Sequence, residues 1–345
     1  MTRAGVARAV AFFAVLAVIP AMTSTQWVLN LLVFTLMYAA MSSSWNLVGG
    51  FAGYPSLGHA AFFGFGAYAV GLWFQHHAVT SGYEPFLLLP LVGIAAAAIG
   101  LPFAAVAMRT RADVFAIVTI TLLFVAQTFA FNLRSLTGGS QGLQMPIPPF
   151  GSESFAQPFY YALLVILALA MAVTFATMRS KIGLSLAAVR ADEDKAAGIG
   201  VRVDGVKILA FCVSVGITAM VGGVWGYYIS FIYPQFAVDP LITVGIVLMA
   251  FLGGRGTLWG PVIGAFILES GQQYLAYRLG GSQVYLIAYA MVFLIIMLVL
   301  PRGVLPTIQE RLRGRRRRRL VDAVPPSAGI AARSTGVGVS GGGAA

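Results

Sequence analysis

Two ionisable side chains stand inside long apolar stretches of the sequence and are the first candidates for chemistry. Glu269 is followed one helical turn later by Gln272 and Gln273, and His59 lies in the segment SLGHAAFFGFGAY. Ionisable groups within a membrane are costly and are therefore functional candidates by default. Glu269 suits either a proton-relay carboxylate or a polar group paired inside a helix bundle, and we favour the pairing. For His59 we favour a neutral imidazole that hydrogen-bonds a neighbouring helix over a ligand.

The polar segment 179–206 is a second candidate, because it combines an apolar helical stripe with a charged surface. Residues 180–197 fit one amphipathic helix that ends at a glycine C-cap, Gly198 or Gly200. Its apolar positions are Ile182, Leu186 and Val189, and its charged positions are Arg190, Asp192, Glu193, Asp194 and Lys195. Such a helix can lie on lipid headgroups or dock on a protein. Since three consecutive acidic residues are repelled by an anionic leaflet, we favour a protein partner.

Other kinds of chemistry lack their motifs. The sequence contains no G-x-x-x-x-G-K-[ST], no H-E-x-x-H, no G-x-S-x-G and no His/Cys cluster at metal-ligand spacing. Its lone cysteine, Cys212, allows no internal disulfide. We therefore predict no catalytic residue, no metal and no cofactor, and any ATP that drives this protein must bind to another subunit. A membrane enzyme acting on lipid through His59 and Glu269 is a weaker alternative.

The elements that position these residues are membrane helices. Hydrophobic residues make up 59% of the chain and charged residues 10%, with a mean hydropathy of +0.86, whereas soluble domains carry about 25% charged residues. Apolar runs of roughly the 20 residues needed to cross a bilayer recur along the chain. The predicted spans are 6–22, 27–49, 56–75, 86–108, 114–132, 157–178, 207–230, 240–253, 257–277 and 283–300. The expected fold is an all-α polytopic membrane helical bundle of about ten transmembrane helices, whose short eighth span is broken or tilted.

The positive charges orient this bundle. With both termini cytoplasmic, 20 of the 22 Lys and Arg residues fall on the inner side, and only Arg134 and Arg278 fall outside. The positive-inside rule supports that topology, so the net charge of +11 does not indicate nucleic acid. Span 6–22 also resembles a secretory signal peptide, but no clear A-x-A cleavage site follows, and we favour an uncleaved helix.

Polar interruptions divide the chain further. We predict a transmembrane domain over 1–306 that contains an external loop at 133–156, rich in Gly and Pro and built of turns rather than helix. A tail over 307–345 is first basic, suited to anionic lipid, and then disordered. Small residues at helical spacing predict close helix packing. They are Ala60 with Gly64, Gly222 with Gly226, and Gly256 with Gly260 and Gly264.

Several motifs in the same order resemble the LivM-type permeases of branched-chain amino-acid ABC importers, over about residues 26–306. SLGHAAFFGFGAY resembles the family's SLGHAAFFGIGAY, SLTGGSQGL its external LTGG-x-x-GL loop, and AAVRADEDKAAGIGV its cytoplasmic loop. The external loop residues matched are Thr137, Gly138, Gly139 and Gly142. ISFIYPQF, FLGGRGTLWGPVIGAF and PRGVL continue the match.

The resemblance implies a permease in the bacterial inner membrane with three kinds of partner. These are a second homologous permease subunit, two cytoplasmic ATP-binding subunits and a periplasmic solute-binding protein. The ATPase-coupling role falls on Arg190, Asp192, Glu193 and Gly200, although Ala191 and Asp194 depart from the family pattern. Branched-chain or related amino acids are the expected solutes, with urea, amides or aromatic acids as alternatives. A secondary carrier is less expected, because only Glu269 offers a coupling carboxylate.

Overall fold

A computed structural model describes residues 3–23, 25–77, 81–152 and 154–279, together with 290, 291, 294, 303–305 and 307. The chain divides into two units, 1–305 and 306–345. Only Thr307 of the second unit is among the described residues. The predicted span 283–300 and tail 307–345 therefore lie outside the described residues, apart from those isolated positions.

The described residues fold almost entirely into helices. The longer helices are α1 (Arg3–Met22), α2 (Gln26–Trp45), α3 (His59–His76), α4 (Glu84–Ala107), α5 (Ala112–Asn132), α7 (Ala156–Arg179), α10 (Val203–Ile229), α12 (Pro240–Gly253) and α13 (Gly260–Leu279). The shorter ones are α6 (Arg134–Thr137), α8 (Lys181–Ala191), α9 (Glu193–Gly198) and α11 (Pro234–Ala237). Within the described part of the chain, one antiparallel pair joins β1 (Leu143–Gln144) to β2 (Phe231–Ile232).

Continuous apolar composition produces these long helices, because only internal hydrogen bonds satisfy a backbone in lipid. Each predicted span from 6–22 to 257–277 overlaps one of the long helices. Within the described part of the chain, six helical stretches are long and apolar enough to cross a membrane. They are Gln26–Ala52, Glu84–Ala107, Ala112–Asn132, Ala156–Arg179, Val203–Ile229 and Pro234–Gly253. The chain is thus a helical membrane protein.

Helix α10 lies at the centre of the bundle and packs along α3 and α4, while α2 packs against α7 and α13. Glycines permit these approaches. A Cβ added at Gly222 would meet the Phe63 carbonyl oxygen at 1.9 Å, and one at Gly264 would meet the Met249 carbonyl oxygen at 1.9 Å. The prediction for Gly256 is wrong, because this residue precedes α13 and has φ +75° in a turn.

The end of α2 and the segment before α12 depart from simple helical spans. Helix α2 continues as a π-helix over Asn46–Ala52, and π-helical turns often mark functional sites. The eighth predicted span forms one uninterrupted helix, α12, so the expected break within this span is absent. The helical structure is interrupted just before α12, between Ala237 and Pro240. At that break Asp239 caps α12 by accepting a hydrogen bond from the Leu241 amide at 2.8 Å.

Candidate functional site

The segment after α7 forms two helices, so the prediction of one helix over 180–197 is wrong. Helix α8 ends at Ala191, and Asp192 adopts an extended conformation with φ −167°. Its carboxylate accepts a hydrogen bond from the Lys195 amide at 3.1 Å and so caps α9. An aspartate that can cap a new helix competes with continuation of the old one. The predicted apolar stripe is confirmed, since Leu186 and Val189 are buried and Ile182 is half-buried.

Glu193 faces inward, toward α10, rather than into the predicted charged surface. Its carboxylate pairs with the buried Lys207 ammonium at 2.6 Å and accepts a hydrogen bond from the Tyr54 hydroxyl. Burial disfavours the charged carboxylate, but the bonds from Lys207 and Tyr54 outweigh it and lower the pKa of Glu193. Burial and the same carboxylate raise the pKa of Tyr54. Lys207 also donates to the Met108 carbonyl at 2.5 Å, which joins the end of α4 to the cluster.

Arg190 remains exposed as a whole, but its guanidinium connects α8 to the π-helix. Its Nη1 donates to the Gly50 carbonyl of the π-helix at 2.7 Å. In the turn between α12 and α13, the Gly256 amide donates to Asn46 Oδ1 at 2.7 Å, and Asn46 Nδ2 donates to the Thr257 carbonyl at 2.9 Å. Burial, with the nearby positive Arg255, lowers the pKa of Arg190. Thus α8, the π-helix and this turn form one hydrogen-bonded unit.

The remaining charges of the segment stay at the surface. Asp194 pairs loosely with Arg111 at 4.0 Å, and both side chains are about nine-tenths exposed. Lys195 pairs with Asp192 at 2.8 Å, and the hydrogen bonds from Lys195 lower the pKa of Asp192. A cleft of about 430 Å³ between α8–α9 and the α4–α5 turn is lined by these acidic residues together with Arg109 and Arg111. The acidic triplet therefore serves three purposes: Asp192 caps, Glu193 pairs inward and Asp194 faces solvent.

Gly200 follows the end of α9 in a left-handed conformation. Helix α9 ends at Gly198 with Ile199 as its C-cap residue, and Gly200, the next residue, has φ +89°. The Gly200 amide donates to the Ala197 carbonyl at 2.9 Å, and the Val201 amide donates to the Ala196 carbonyl at 3.1 Å. A Cβ at Gly200 would meet no atom within 4 Å, so the backbone conformation alone favours glycine here.

His59 begins α3 and is fully buried. Its Nε2 lies 2.8 Å from the Ser214 hydroxyl on α10, and its Nδ1 lies 2.9 Å from the Ser56 hydroxyl. Both ring nitrogens are therefore occupied, as expected of an imidazole that links two helices. Among the described residues, no hydrogen bond joins His59 to Glu269, so the structure does not assemble the pair required by the enzyme alternative.

Glu269 lies in the middle of α13 and is 2% exposed. Its Oε1 accepts a hydrogen bond from Gln273 Nε2 at 2.9 Å, which is the pairing that the sequence favoured. Among the described residues, Oε2 is buried without a hydrogen-bond partner. Glu269, Gln272 and Gln273 line one side of a cavity of about 510 Å³. The sequence indicated the polar face but gave no sign of the cavity beside it.

The loop at 133–156 begins with one helical turn, α6, which the sequence did not predict. Thr137 donates from its hydroxyl to the Ala130 carbonyl at 2.6 Å and closes the turn onto α5. Gly138, Gly139 and Gly142 all have positive φ, at 72°, 58° and 79°. A Cβ at Gly138 would meet the Gly142 carbonyl oxygen at 2.1 Å. The glycines of this motif therefore shape the turn that leads into β1.

Sequence reasoning missed Lys207, Tyr54 and Gly50 as partners of the cytoplasmic segment. A lysine at the start of an apolar run was the available signal for Lys207. The described residues contain no group of three or more His, Cys, Asp or Glu side chains that could hold a metal ion. What the site can do is mechanical: the Glu193–Lys207 pair and the Arg190–Gly50 bond tie the cytoplasmic segment to the helix bundle.

Comparison with known proteins places the chain among transport permeases. Residues 27–301 match the family described as branched-chain amino acid transport system, permease component. The chain is 24% identical over 315 residues to the high-affinity branched-chain amino acid transport system permease protein LivM of Escherichia coli K12, covering 81% of this chain and 70% of the relative. It is 25% identical over 283 residues to the permease protein LivH of Salmonella typhimurium, and this match covers 78% of this chain and 91% of the relative. No solved structure matches significantly.

A shorter match involves a different kind of solute. The chain is 37% identical over 113 residues to the autoinducer 2 import system permease protein LsrC of Photorhabdus laumondii, covering 31% of this chain and 32% of the relative. That match is local, whereas the matches to the branched-chain permease proteins extend over most of the chain.

Proposed function

This chain belongs to the family of branched-chain amino acid transport permease components, and we propose that it carries branched-chain or related amino acids across the bacterial inner membrane. The resemblance to LivM-type permeases seen in the sequence motifs is confirmed. The chain is a multi-pass permease subunit of an ABC importer, and its family membership supports a role as a transport subunit rather than as an enzyme. The amino-acid substrate is supported by the two relatives that match most of its length.

Ten spans with both termini in the cytoplasm belong to the same proposal. The contacts of Arg190, Lys207 and Arg111 bring the α4–α5 turn, α8–α9, the π-helix and the α12–α13 turn to one end of the bundle. That end carries the densest set of basic residues among the described loops, as the positive-inside rule requires of a cytoplasmic face. The proposed domain limits, 1–306 for the permease and 307–345 for a basic cytoplasmic tail, follow the sequence.

The observation that carries the mechanism is the double attachment of the α8–α9 segment. Glu193 binds it to α10 through Lys207, and Arg190 binds it to the π-helix. A displacement of α8–α9 is therefore transmitted to α10, which packs along α3 and α4, and to α2. Asp192 and Gly200 fix the two ends of α9 and keep this segment rigid. We assign ATPase coupling to these residues on this basis.

Exposed apolar side chains on α8 and just after α9 indicate that this segment binds a protein partner rather than facing water. Leu184 is 73% exposed and Ile199 is 78% exposed, although both lie in a segment that also carries the exposed Asp194. Apolar side chains flanked by charges suit a protein interface better than water. We propose that the two cytoplasmic ATP-binding subunits dock here, with a second permease beside the bundle and a periplasmic binding protein on the opposite side.

Reconstitution with the partner subunits tests this function. Proteoliposomes that contain both permeases and the ATPases should accumulate radiolabelled leucine when ATP and loaded binding protein are supplied. Omitting ATP, or using ATPase subunits with an inactive nucleotide site, should abolish accumulation. Uptake that persists without the ATPases would instead favour the secondary carrier. Uptake of radiolabelled urea, a short amide and phenylalanine under the same conditions distinguishes the alternative solutes, because only a transported class should accumulate.

A further inference from the structure

A cavity of about 510 Å³ is lined by residues of α2, α3, α10, α12 and α13 and by the segment 231–236. Glu269 is the tenth of 20 residues in α13, whereas Phe34 lies in the first third of the helical stretch Gln26–Ala52 and Ile229 is the last residue of α10. The cavity therefore extends from the middle of α13 toward the loop that follows α10. Solute sites of secondary transporters occur near the middle of the bilayer, and Glu269 lies at the middle of α13. The volume also falls in the range of about 300–1,000 Å³ that is typical of small-molecule sites.

The cavity combines one acidic group with apolar and aromatic walls. Phe34, Tyr38 and Trp225 contribute aromatic rings, and the side of the cavity formed by α13 carries Glu269 and Gln273. Aromatic faces attract cations, and a carboxylate in a site of low dielectric binds a cation strongly. The wall is therefore suited to a ligand that carries a positive group at one end and an apolar group at the other.

Glu269 retains an unused acceptor in this setting. Gln273 donates to Oε1 at 2.9 Å, whereas Oε2 is buried and has no hydrogen-bond partner among the described residues. A buried acceptor without a donor is costly and calls for an explanation. A ligand that donates hydrogen bonds to Oε2 would supply the missing partner. An α-ammonium group has three such donors and the matching charge.

We propose that this cavity is a solute subsite in which Glu269 binds the α-ammonium group of a transported amino acid. The apolar side chain of the solute packs against Met37, Phe63 and Ile242, and the Gln272 amide faces its carboxylate. This assignment rests on the proposed function, because it identifies a solute contact within the same permease. It predicts selection for the amino group that depends on the Glu269 carboxylate.

The test uses the complete complex in proteoliposomes with saturating loaded binding protein, and it measures leucine uptake and ATP hydrolysis together. Glu269→Gln keeps the size of the side chain but removes its charge, and should lower leucine transported per ATP about tenfold while stimulation of ATPase by the binding protein changes less than about twofold. Glu269→Asp retains the charge and should recover part of the lost uptake. Ser270→Ala, on the same helix, removes a hydroxyl 3.2 Å from Thr35 and should behave as wild type.

Binding of radiolabelled leucine to the purified complex tests whether the cavity selects for the amino group. Without binding protein, isopentylamine should displace radiolabelled leucine from the wild-type complex, whereas 4-methylpentanoate, which lacks the amino group, should displace it poorly. Equal leucine transported per ATP in wild-type and Glu269→Gln complexes would overturn the subsite. Parallel loss of uptake and ATPase stimulation in both Glu269 variants would also overturn it, in favour of a packing role. A wild-type complex without ATP-driven leucine uptake would contradict the proposed function instead.

Discussion

Lys207 on α10 and Glu193 on α9 form an ion pair with 2.6 Å between Nζ and Oε1, and the lysine side chain is only 1% exposed. The ammonium group leaves water on folding and depends on Glu193, the Tyr54 hydroxyl and the Met108 carbonyl. Removing one member of such a pair leaves a buried charge without full compensation. Breaking the pair therefore costs more stability than the intact pair contributes, and this cost holds α9 against the bundle.

Glu193→Gln should destabilise the permease, because the buried Lys207 side chain would lose its main counterion. We expect the free energy of unfolding to fall by about 3 kcal/mol, which is the lower end for a broken buried pair. The lower end applies because the Glu193 side chain is 34% exposed and Asp204 lies 3.7 Å from Lys207. Thermal unfolding of the purified complex in nanodiscs measures this loss of stability. Lys195→Met breaks the solvent-exposed pair with Asp192 and should leave the unfolding temperature nearly unchanged. Equal unfolding temperatures for both variants would contradict this role.

The same carboxylate predicts a dependence of stability on pH. The pKa of Glu193 is lowered in the folded protein, so its contribution is fully present above the ordinary glutamate value of about 4.3 and is lost as pH falls through the lower folded pKa. The wild-type protein should therefore lose more thermal stability than Glu193→Gln between pH 6 and pH 3. The difference between their unfolding temperatures should shrink toward the acidic end. A constant difference across that range would count against the ion pair.

Much of the fold, but less of the site, follows from the sequence. Composition and run length locate the long helices, because a helix in lipid satisfies its own backbone and local pattern therefore decides it. The short helices α6 and α11, and the division of 180–197 into α8 and α9, were not predicted. The sequence pattern predicts a charged surface for Glu193, because its partner Lys207 comes near only when α10 packs against α9. The bond from Arg190 to Gly50 likewise depends on the π-helix, whose residues NLVGGFA continue the apolar pattern of α2 without a visible break.

Arg190→Ala should weaken coupling between ATP hydrolysis and transport. The variant loses the bond to the Gly50 carbonyl, which is charge-assisted and 2.7 Å long. Such bonds contribute about 1.5–3 kcal/mol, so a conformational equilibrium that depends on this one should shift about tenfold or more. We expect leucine uptake per ATP to fall by a comparable factor in proteoliposomes. Lys181→Ala changes an exposed charge of the same helix and should retain wild-type coupling. Unchanged uptake per ATP in both variants would exclude the Arg190 contact from coupling.

External cysteine labelling tests the orientation of the bundle. In a Cys212→Ala background, a membrane-impermeant maleimide should label Ser140→Cys in intact cells but should reach Ala197→Cys only after permeabilisation. Both positions are exposed in the structure, one in the loop 133–156 and one on α9, so burial does not limit either reaction. Ser180 is a poorer site, because its hydroxyl caps α8 through the Gly183 amide. Equal labelling of both cysteines in intact cells would refute the topology.

Gly200→Val should impair the permease through backbone strain alone. Gly200 has φ +89°, and the space around a Cβ there is empty, so no steric clash with a neighbour contributes. A β-branched residue held in this conformation costs about 1–3 kcal/mol, whereas asparagine tolerates it far better. Because the strain can be relieved by unwinding α9, Gly200→Val should lower both ATPase stimulation and leucine uptake, and Gly200→Asn should largely preserve them.

The neighbouring glycine supplies the matched control for that prediction. Gly198 lies within α9, has no atom within 4 Å of an added Cβ, and lacks a positive φ. Gly198→Ala should therefore leave transport intact and slightly raise stability, because alanine favours the helix over glycine by about 0.5–1 kcal/mol. Measured together, the three variants separate strain at Gly200 from a general sensitivity of the segment to substitution. If Gly200→Val and Gly200→Asn transport leucine equally well, the left-handed turn does not position α9 for its partner.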